Sequence, residues 1–255
     1  MTGPLLCERR GGALLLTLNR PERRNALSPE LVEALLAAVR APGEGVCVLV
    51  LTGAGPVFCA GGDLGPPSDG GFLHQHEARH GFAQLLAAIH ESPVPVIAAV
   101  NGDALGGGCG LAAACHLVAA DERARFGTPE LKLGLFPWMI SPVLLRSLPR
   151  KVVMDMVLTG RRLSAAEGHA LGFVNRVAPP GEVLAAGLQL AEEVGAFSPA
   201  VVGLGLRALS AVDDLPLTPA LAHMASQLSL NLMLDDAAEG ISAFLGRRPP
   251  EWKGR

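Results

Sequence analysis

Three places in this 255-residue chain carry residues that could do chemistry. Pro93 to Gly110 reads PVPVIAAVNGDALGGGCG, a strand-like run followed by the glycines Gly106, Gly107 and Gly108. Phe58 to Leu64 reads FCAGGDL, a second glycine-rich corner. Phe126 to Glu130 reads FGTPE and brings a carboxylate to a helix start. Glycines between a strand and a helix leave free backbone N–H groups at the positive end of the helix dipole. Such an end binds a phosphate or holds an oxyanion. Two corners, Ala60-Gly61 and Gly106-Gly107, can each aim one N–H at a single point, because glycine lets a group approach closely. Two convergent donors stabilise charge developing on a carbonyl oxygen. Glu130 is then either a general acid/base or a helix-start carboxylate complementing the dipole.

The elements that must position these groups follow from patterning. Val94 to Val100 is an unbroken apolar run with β-branched content, which predicts a buried strand ended by Asn101-Gly102. The glycines then open a small-residue helical segment, Leu111 to Cys115. Gly12 to Leu18 and Val46 to Leu51 read as further strands. Ser28-Pro29 starts a helix through Val39, with Ser28 as N-cap and Pro29 at the first helical position. Gly65 to Gly71 reads as a mobile loop and His74 to His90 as a helix. Leu117 to Ala120 is a short strand, Ser141 to Leu148 and Lys151 to Leu158 are helices, and Ser164 to Glu167 is a capping box. From Glu182 onward the pattern is helical. The expectation is a mixed α/β body with a helical tail.

A nucleotide site is the competing reading, since Gly108-x-Gly110-x-x-Ala113 fits the relaxed dinucleotide fingerprint. The glycines lie several residues past the strand end, however. About eight residues separate Gly108 from His116, short for a crossover helix between parallel strands. Asp121 comes too early for a ribose-binding acid, and no Gly-Lys-Ser/Thr follows a glycine loop.

Composition narrows the partners. The net charge of −3 gives no reason to expect nucleic acid or an anionic membrane. No apolar run reaches the ~18 residues of a membrane span, and residues 1–30 do not read as a signal peptide. Cys7, Cys47, Cys59, Cys109 and Cys115 lack metal-ligand spacing and read as reduced thiols in apolar surroundings, which fits a cytoplasmic protein. Cys59 has no histidine near it in sequence to make it a nucleophile. His74, His76 and His80 read as solvated side chains, so no metal site is expected.

The chain resembles the enoyl-CoA hydratase/isomerase (crotonase) superfamily. The matching stretches are NRPERRNALS (Asn19 to Ser28), LTGAGPVFCAGGDL (Leu51 to Leu64), PVPVIAAVNGDALGGGCGLAAAC (Pro93 to Cys115), ARFGTPELKLGLFP (Ala124 to Pro137), LTGRRLSAAEGHALGFVNRV (Leu158 to Val177) and EGISAFLGRRPPEW (Glu239 to Trp252). They occur in the family's order and cover nearly the whole chain. The resemblance implies an α/β crotonase (ClpP-like) fold of repeated ββα units over 1–195. It implies a C-terminal helical region, 196–255, for trimerisation, with trimers that often pair into hexamers. It also implies a CoA thioester substrate, a place in fatty acid metabolism, and no cofactor beyond the CoA of the substrate.

Residue by residue, the resemblance puts the oxyanion hole on the N–H groups of Ala60 and Gly107 and the acid/base on Glu130. Substrate and CoA contacts fall on Arg24, Ala26, Gly61, Asp63, Leu64, Gly106, Trp138, Phe244 and Arg247. The family's hydratases carry two glutamates, and the first falls on Gly110, which has no side chain. Trp138 to Pro142 replaces the glycine-rich segment typical of those enzymes. Hydration of a 2-enoyl-CoA by a single glutamate is the first expectation and isomerisation of a double bond the second. A binding member that has lost catalysis is the third.

Overall fold

The computed structural model describes residues 3–63 and 71–255, side chains included except for 71–78. The expectations for Leu64 and for most of the Gly65–Gly71 loop, and for the side chains of His74 and His76, lie outside the described residues. The elements in chain order are β1 (Leu5–Arg10), β2 (Ala13–Leu18), α1 (Pro29–Arg40), β3 (Val48–Gly53), α2 (Gly71–His90), β4 (Val96–Val100), β5 (Ala104–Leu105) and α3 (Gly107–Ala114). Then come β6 (Leu117–Asp121), β7 (Arg125–Gly127), α4 (Ser141–Ser147), α5 (Arg150–Thr159), β8 (Arg162–Ser164), α6 (Ala165–Ala170), β9 (Arg176–Ala178), α7 (Val183–Gly195), α8 (Pro199–Val212), α9 (Leu217–Asn231) and α10 (Asp235–Leu245).

The main sheet runs β1-β2-β3-β4-β6-β9. β1 pairs antiparallel with β2, and the other neighbours are parallel. β3 is buried over Val48–Thr52 and β4 over its whole length, as expected for parallel strands covered on both faces. Alternation of side chains divides the core in two. Leu16, Leu18, Leu49, Leu51, Ala98 and Val100 face the helices α1, α2 and α3. Leu15, Val48, Val50, Ile97 and Ala99 face α7. α7 lies close on the sheet because Gly187 faces it: a Cβ there would stand 2.9 Å from that of Ala99.

The caps read from the sequence form. Ser28 Oγ accepts from the Leu31 N–H, with Pro29 beginning α1, and Ser164 and Glu167 make a reciprocal capping box on α6. Three expectations change. β1 forms although half of it is exposed and charged, because it pairs with β2 at the sheet edge. α3 begins at Gly107, so the glycines lie inside its first turn rather than before it. Cys7 is exposed and Cys47 partly so; only Cys59, Cys109 and Cys115 are buried thiols, and all five are free.

A second, small sheet, β5-β7-β8, places the chemistry. β5 leads directly into Gly106 and α3, and β7 leads directly into Thr128-Pro129-Glu130. Their parallel pairing, Ala104 with Phe126 and Leu105 with Gly127, sets those two exits side by side. The Gly106 N–H donates to the Gly127 carbonyl at 2.8 Å and locks the register. The FCAGGDL corner joins through a parallel bridge between Cys59 and Ala104.

The tail is tied to the body at its end. The Trp252 indole N–H donates to the Ala196 carbonyl at 2.8 Å, and Asp236 accepts from Ser198 Oγ and from the Lys253 and Gly254 N–H groups. α9 buries none of its residues in this chain. Among the described residues, no single helix is long and apolar enough to cross a membrane.

Candidate active site

Glu130 opens a 3₁₀ turn, Glu130–Leu133, ended by Gly134 in the left-handed region. Its carboxylate sits against the start of α3: a Cβ placed on Gly106 would stand 3.0 Å from Glu130 Oε1. Gly106 also has φ +53, so glycine is required there on two counts. Glu130 Oε2 is buried without a hydrogen-bond partner, as is Thr128 Oγ1 two residues earlier. Burial pushes the Glu130 carboxyl above the ordinary glutamate value. A carboxylate with one oxygen buried and without a partner is poised to take up a proton there.

Two loops meet beside it. Gly61 has φ +99, and a Cβ there would stand 2.9 Å from the Leu105 carbonyl and 3.2 Å from the Gly107 nitrogen. The Gly107 N–H is the first of α3, and the helix's own bonding begins only with Gly110 N–H to Gly106 O at 3.1 Å. It is therefore one of the orphan donors of a helix start.

The other expected donor is corrected. The Ala60 N–H donates to the Arg24 carbonyl at 3.0 Å, so it is committed within the chain. Two residues on, Gly62 forms a parallel bridge with Leu27. In that bridge the Leu27 N–H donates to Gly61 O at 2.8 Å, and the Asp63 N–H donates to Leu27 O at 3.3 Å. The Gly62 N–H thus points away from Leu27, and among the described residues it has no acceptor. Ala60 and Gly62 amides are alike in sequence, and only the bridge tells them apart.

The bridge is held by charge. Arg20 donates to Asp63 Oδ2 at 2.8 Å and to the Ala26 carbonyl, and Arg23 reaches Asp63 Oδ1 at 2.9 Å. Asn25, fully buried with φ +55, accepts from the Arg20 N–H and donates to the carbonyls of Ala54 and Val57. Sequence reasoning missed Gly62, Arg20 and Asn25. An asparagine standing between Arg23-Arg24 and the apolar pair Ala26-Leu27 was the available signal for Asn25. Asp63 is a loop anchor, and it also occupies Arg23. Arg24 is exposed and has no ion pair among the described residues.

Neither buried thiol near the site is set up as a nucleophile. Burial pushes Cys59 and Cys109 up to about 12, and Glu130 adds to the effect at Cys109. His116 lies beyond the other end of α3; burial and His90 bring it down to about 4, and its Nδ1 accepts from the Val96 N–H.

A family model described as Enoyl-CoA hydratase/isomerase matches residues 8–255. The chain belongs to the enoyl-CoA hydratase/isomerase family. Its similarity to the 2,3-dehydroadipyl-CoA hydratase of Escherichia coli (strain K12) is 37% identity over 255 residues, covering 98% of this chain and 99% of that protein. Enoyl-CoA hydratase EchA19 of Mycobacterium tuberculosis (strain ATCC 25618 / H37Rv) is 35% identical over 268 residues, covering 100% of this chain and 98% of that protein. The crystal structure of an enoyl-CoA hydratase from Polaromonas sp. JS666 superposes with a TM-score of 0.93 at 35% identity, covering 98% of this chain and 99% of that one.

Within this enoyl-CoA hydratase/isomerase family enzyme, the remaining expected residues are spread out. Gly61 lies against Gly107 and Gly106 against Glu130, while Ala26 and Asp63 are both held by Arg20 at the Leu27–Gly62 bridge. Trp138 follows the 3₁₀ turn, 75% exposed, its ring 4.8 Å from that of Phe136. Phe244 is 83% exposed on α10, and Arg247 follows that helix with φ +51. No hydrogen bond or ion pair joins either to Gly107 or Glu130 among the described residues.

Proposed function

We propose that the chain hydrates a 2-enoyl-CoA thioester, with Glu130 as the one acid/base and the N–H groups of Gly62 and Gly107 as the oxyanion hole. The observation that carries this reading is the buried, partnerless Glu130 Oε2 beside the unbonded first N–H of α3. Glu130 takes a proton from water as its oxygen bonds to C3. The C2=C3 electron pair moves onto the thioester oxygen as an enolate, which the two N–H groups hold. Glu130 then returns a proton to C2. The sum is addition of one water, with no change of redox state and no added cofactor.

Arg24 suits the CoA phosphates, since its guanidinium is exposed and matches phosphate oxygens. Trp138, exposed beside Phe136 just after the turn that Glu130 opens, suits the wall of an acyl pocket. The exposed apolar residues of α9 and α10, among them Leu217, Leu221, Leu228, Ile241 and Phe244, suit burial against further copies in a trimer or hexamer. In such an assembly Phe244 and Arg247 reach a CoA site.

Isomerisation is the second reading, favoured by Gly110. One carboxylate can lift a proton from one carbon of a 3-enoyl ester and return it to another. Product mass separates the two. Crotonyl-CoA should gain one water; conversion of a 3-enoyl-CoA at constant mass would make the enzyme an isomerase. Tight CoA-ester binding with neither reaction would leave a binding protein.

A further inference from the structure

We infer that Ile140 decides how many carboxylates this site can hold, by filling the space beside Glu130 that a side chain at position 110 would take. The inference rests on the reading of Glu130 as the acid/base. Gly106 caps α3 and Gly110 lies in its first turn, joined by the Gly110 N–H to Gly106 carbonyl bond at 3.1 Å. This end of the helix meets Glu130, because a Cβ on Gly106 would stand 3.0 Å from its Oε1. A Cβ on Gly110 would stand 2.2 Å from Ile140 Cγ2 and 2.6 Å from Ile140 Cβ. Ile140 is 3% exposed, so the space is filled with hydrocarbon.

Ile140 has little freedom to withdraw. Its carbonyl accepts the Leu144 N–H at 3.0 Å, which fixes it at the head of α4. The Ser141 N–H and Oγ both donate to the Pro137 carbonyl, at 3.0 and 2.7 Å. At the other end of α4, Ser147 Oγ donates to the Ala113 carbonyl of α3 at 2.9 Å. A β-branched side chain has few rotamers to escape into. Position 110 is therefore closed to any side chain while residue 140 is isoleucine. The carboxylate is not merely absent from α3; its room is occupied, and Glu130 must carry both proton transfers against an apolar wall.

A double-mutant cycle for stability and a second for the reaction test this. Helix propensity alone makes Gly110→Ala favourable. Gly110→Ala should nevertheless lower Tm in the native chain and raise it in the Ile140→Gly background. A rise in the native chain would overturn the packing claim even if Ile140→Gly proves insoluble. For the reaction, Gly110→Glu/Ile140→Gly should hydrate crotonyl-CoA at least ten-fold faster than Ile140→Gly alone, measured by product mass. An equal or slower rate would overturn the role of Ile140 in reaction choice. Gly110→Glu alone, folded at native Tm and hydrating faster, would overturn both. If no form of the protein turns over any enoyl ester, the reading of Glu130 has failed and the reaction claim falls with it. The Tm cycle would still decide the packing.

Discussion

The Ala60 N–H donates to the Arg24 carbonyl at 3.0 Å. That bond commits the Ala60 N–H within the chain, and the proposed oxyanion hole therefore uses the Gly62 N–H instead. Gly61, between them, carries the strain: φ +99 and two backbone atoms where a side chain would stand. Gly61→Ala should push the two loops apart and cost about 10²-fold in kcat, the cost of losing one such donor. Gly62→Ala meets no atom of the described residues within 4 Å of its Cβ and should stay within about three-fold, since the backbone donor is kept. Steady-state kinetics on both variants check this, and equal losses would refute the assignment.

The Asp63 carboxylate anchors the same loop. Its side chain and that of Arg20 are 17% and 19% exposed, so Asp63→Ala leaves a largely buried guanidinium unpaired. The expected loss is about 1–3 kcal/mol in denaturant unfolding. Because the Gly62 N–H loses its bearing, kcat should fall up to about 10²-fold with KM little changed. Arg23→Ala, at an exposed pair, should cost under about 1 kcal/mol.

On the proposed role of Glu130, its burial costs stability when the carboxyl is ionised. Burial raises its carboxyl above the ordinary 4.5, so the folded state holds the proton more tightly than the unfolded chain does. The stability this gives is complete below pH 4.5 and is lost as pH rises through the folded value. Glu130→Gln stays neutral throughout. Its Tm should exceed that of the native enzyme at pH 7.5, and the difference should close below pH 4.5, while turnover falls by about 10²–10⁴-fold. A lower Tm at pH 7.5 would show that the ionised carboxylate has a stabilising partner.

The same displacement fixes a kinetic limb. Both proposed reactions begin with an ionised Glu130, so kcat/KM should fall on the acid side. The inflection should lie above pH 4.5. An inflection at or below that value would place the proton acceptor on another group.

α9 has no buried residue, and Leu228 on it is 61% exposed. Light scattering should give a mass of three or six chains for the native protein. Leu228→Asp should move the population toward single chains, because an apolar interface does not tolerate an unpaired charge. A native protein that is monomeric at micromolar concentration would remove the interface.

Much of this was legible from local chemistry. Buried parallel strands announce themselves as unbroken apolar runs, so β3 and β4 could be read directly. Ser28 and Ser164 sit in capping patterns that work within one turn. The glycines that open α3 and the carboxylate of Glu130 are visible because helix starts are local objects. The family resemblance then gave the acid/base its expected role.

What remained depended on pairing between distant segments. β5, β7 and β8 have two or three residues each, too few to show a period, yet their register brings Glu130 to Gly106. The cost of Ile140 to position 110 appears only when α4 packs on α3. Above all, nothing in the letters of FCAGGDL says which amide is free, because a backbone N–H is chemically the same at every residue. The Leu27–Gly62 bridge and the Arg24 carbonyl decide that, and both come from another loop. Local chemistry supplies the groups available at the site; pairing between distant segments sets which of their amides keep no partner.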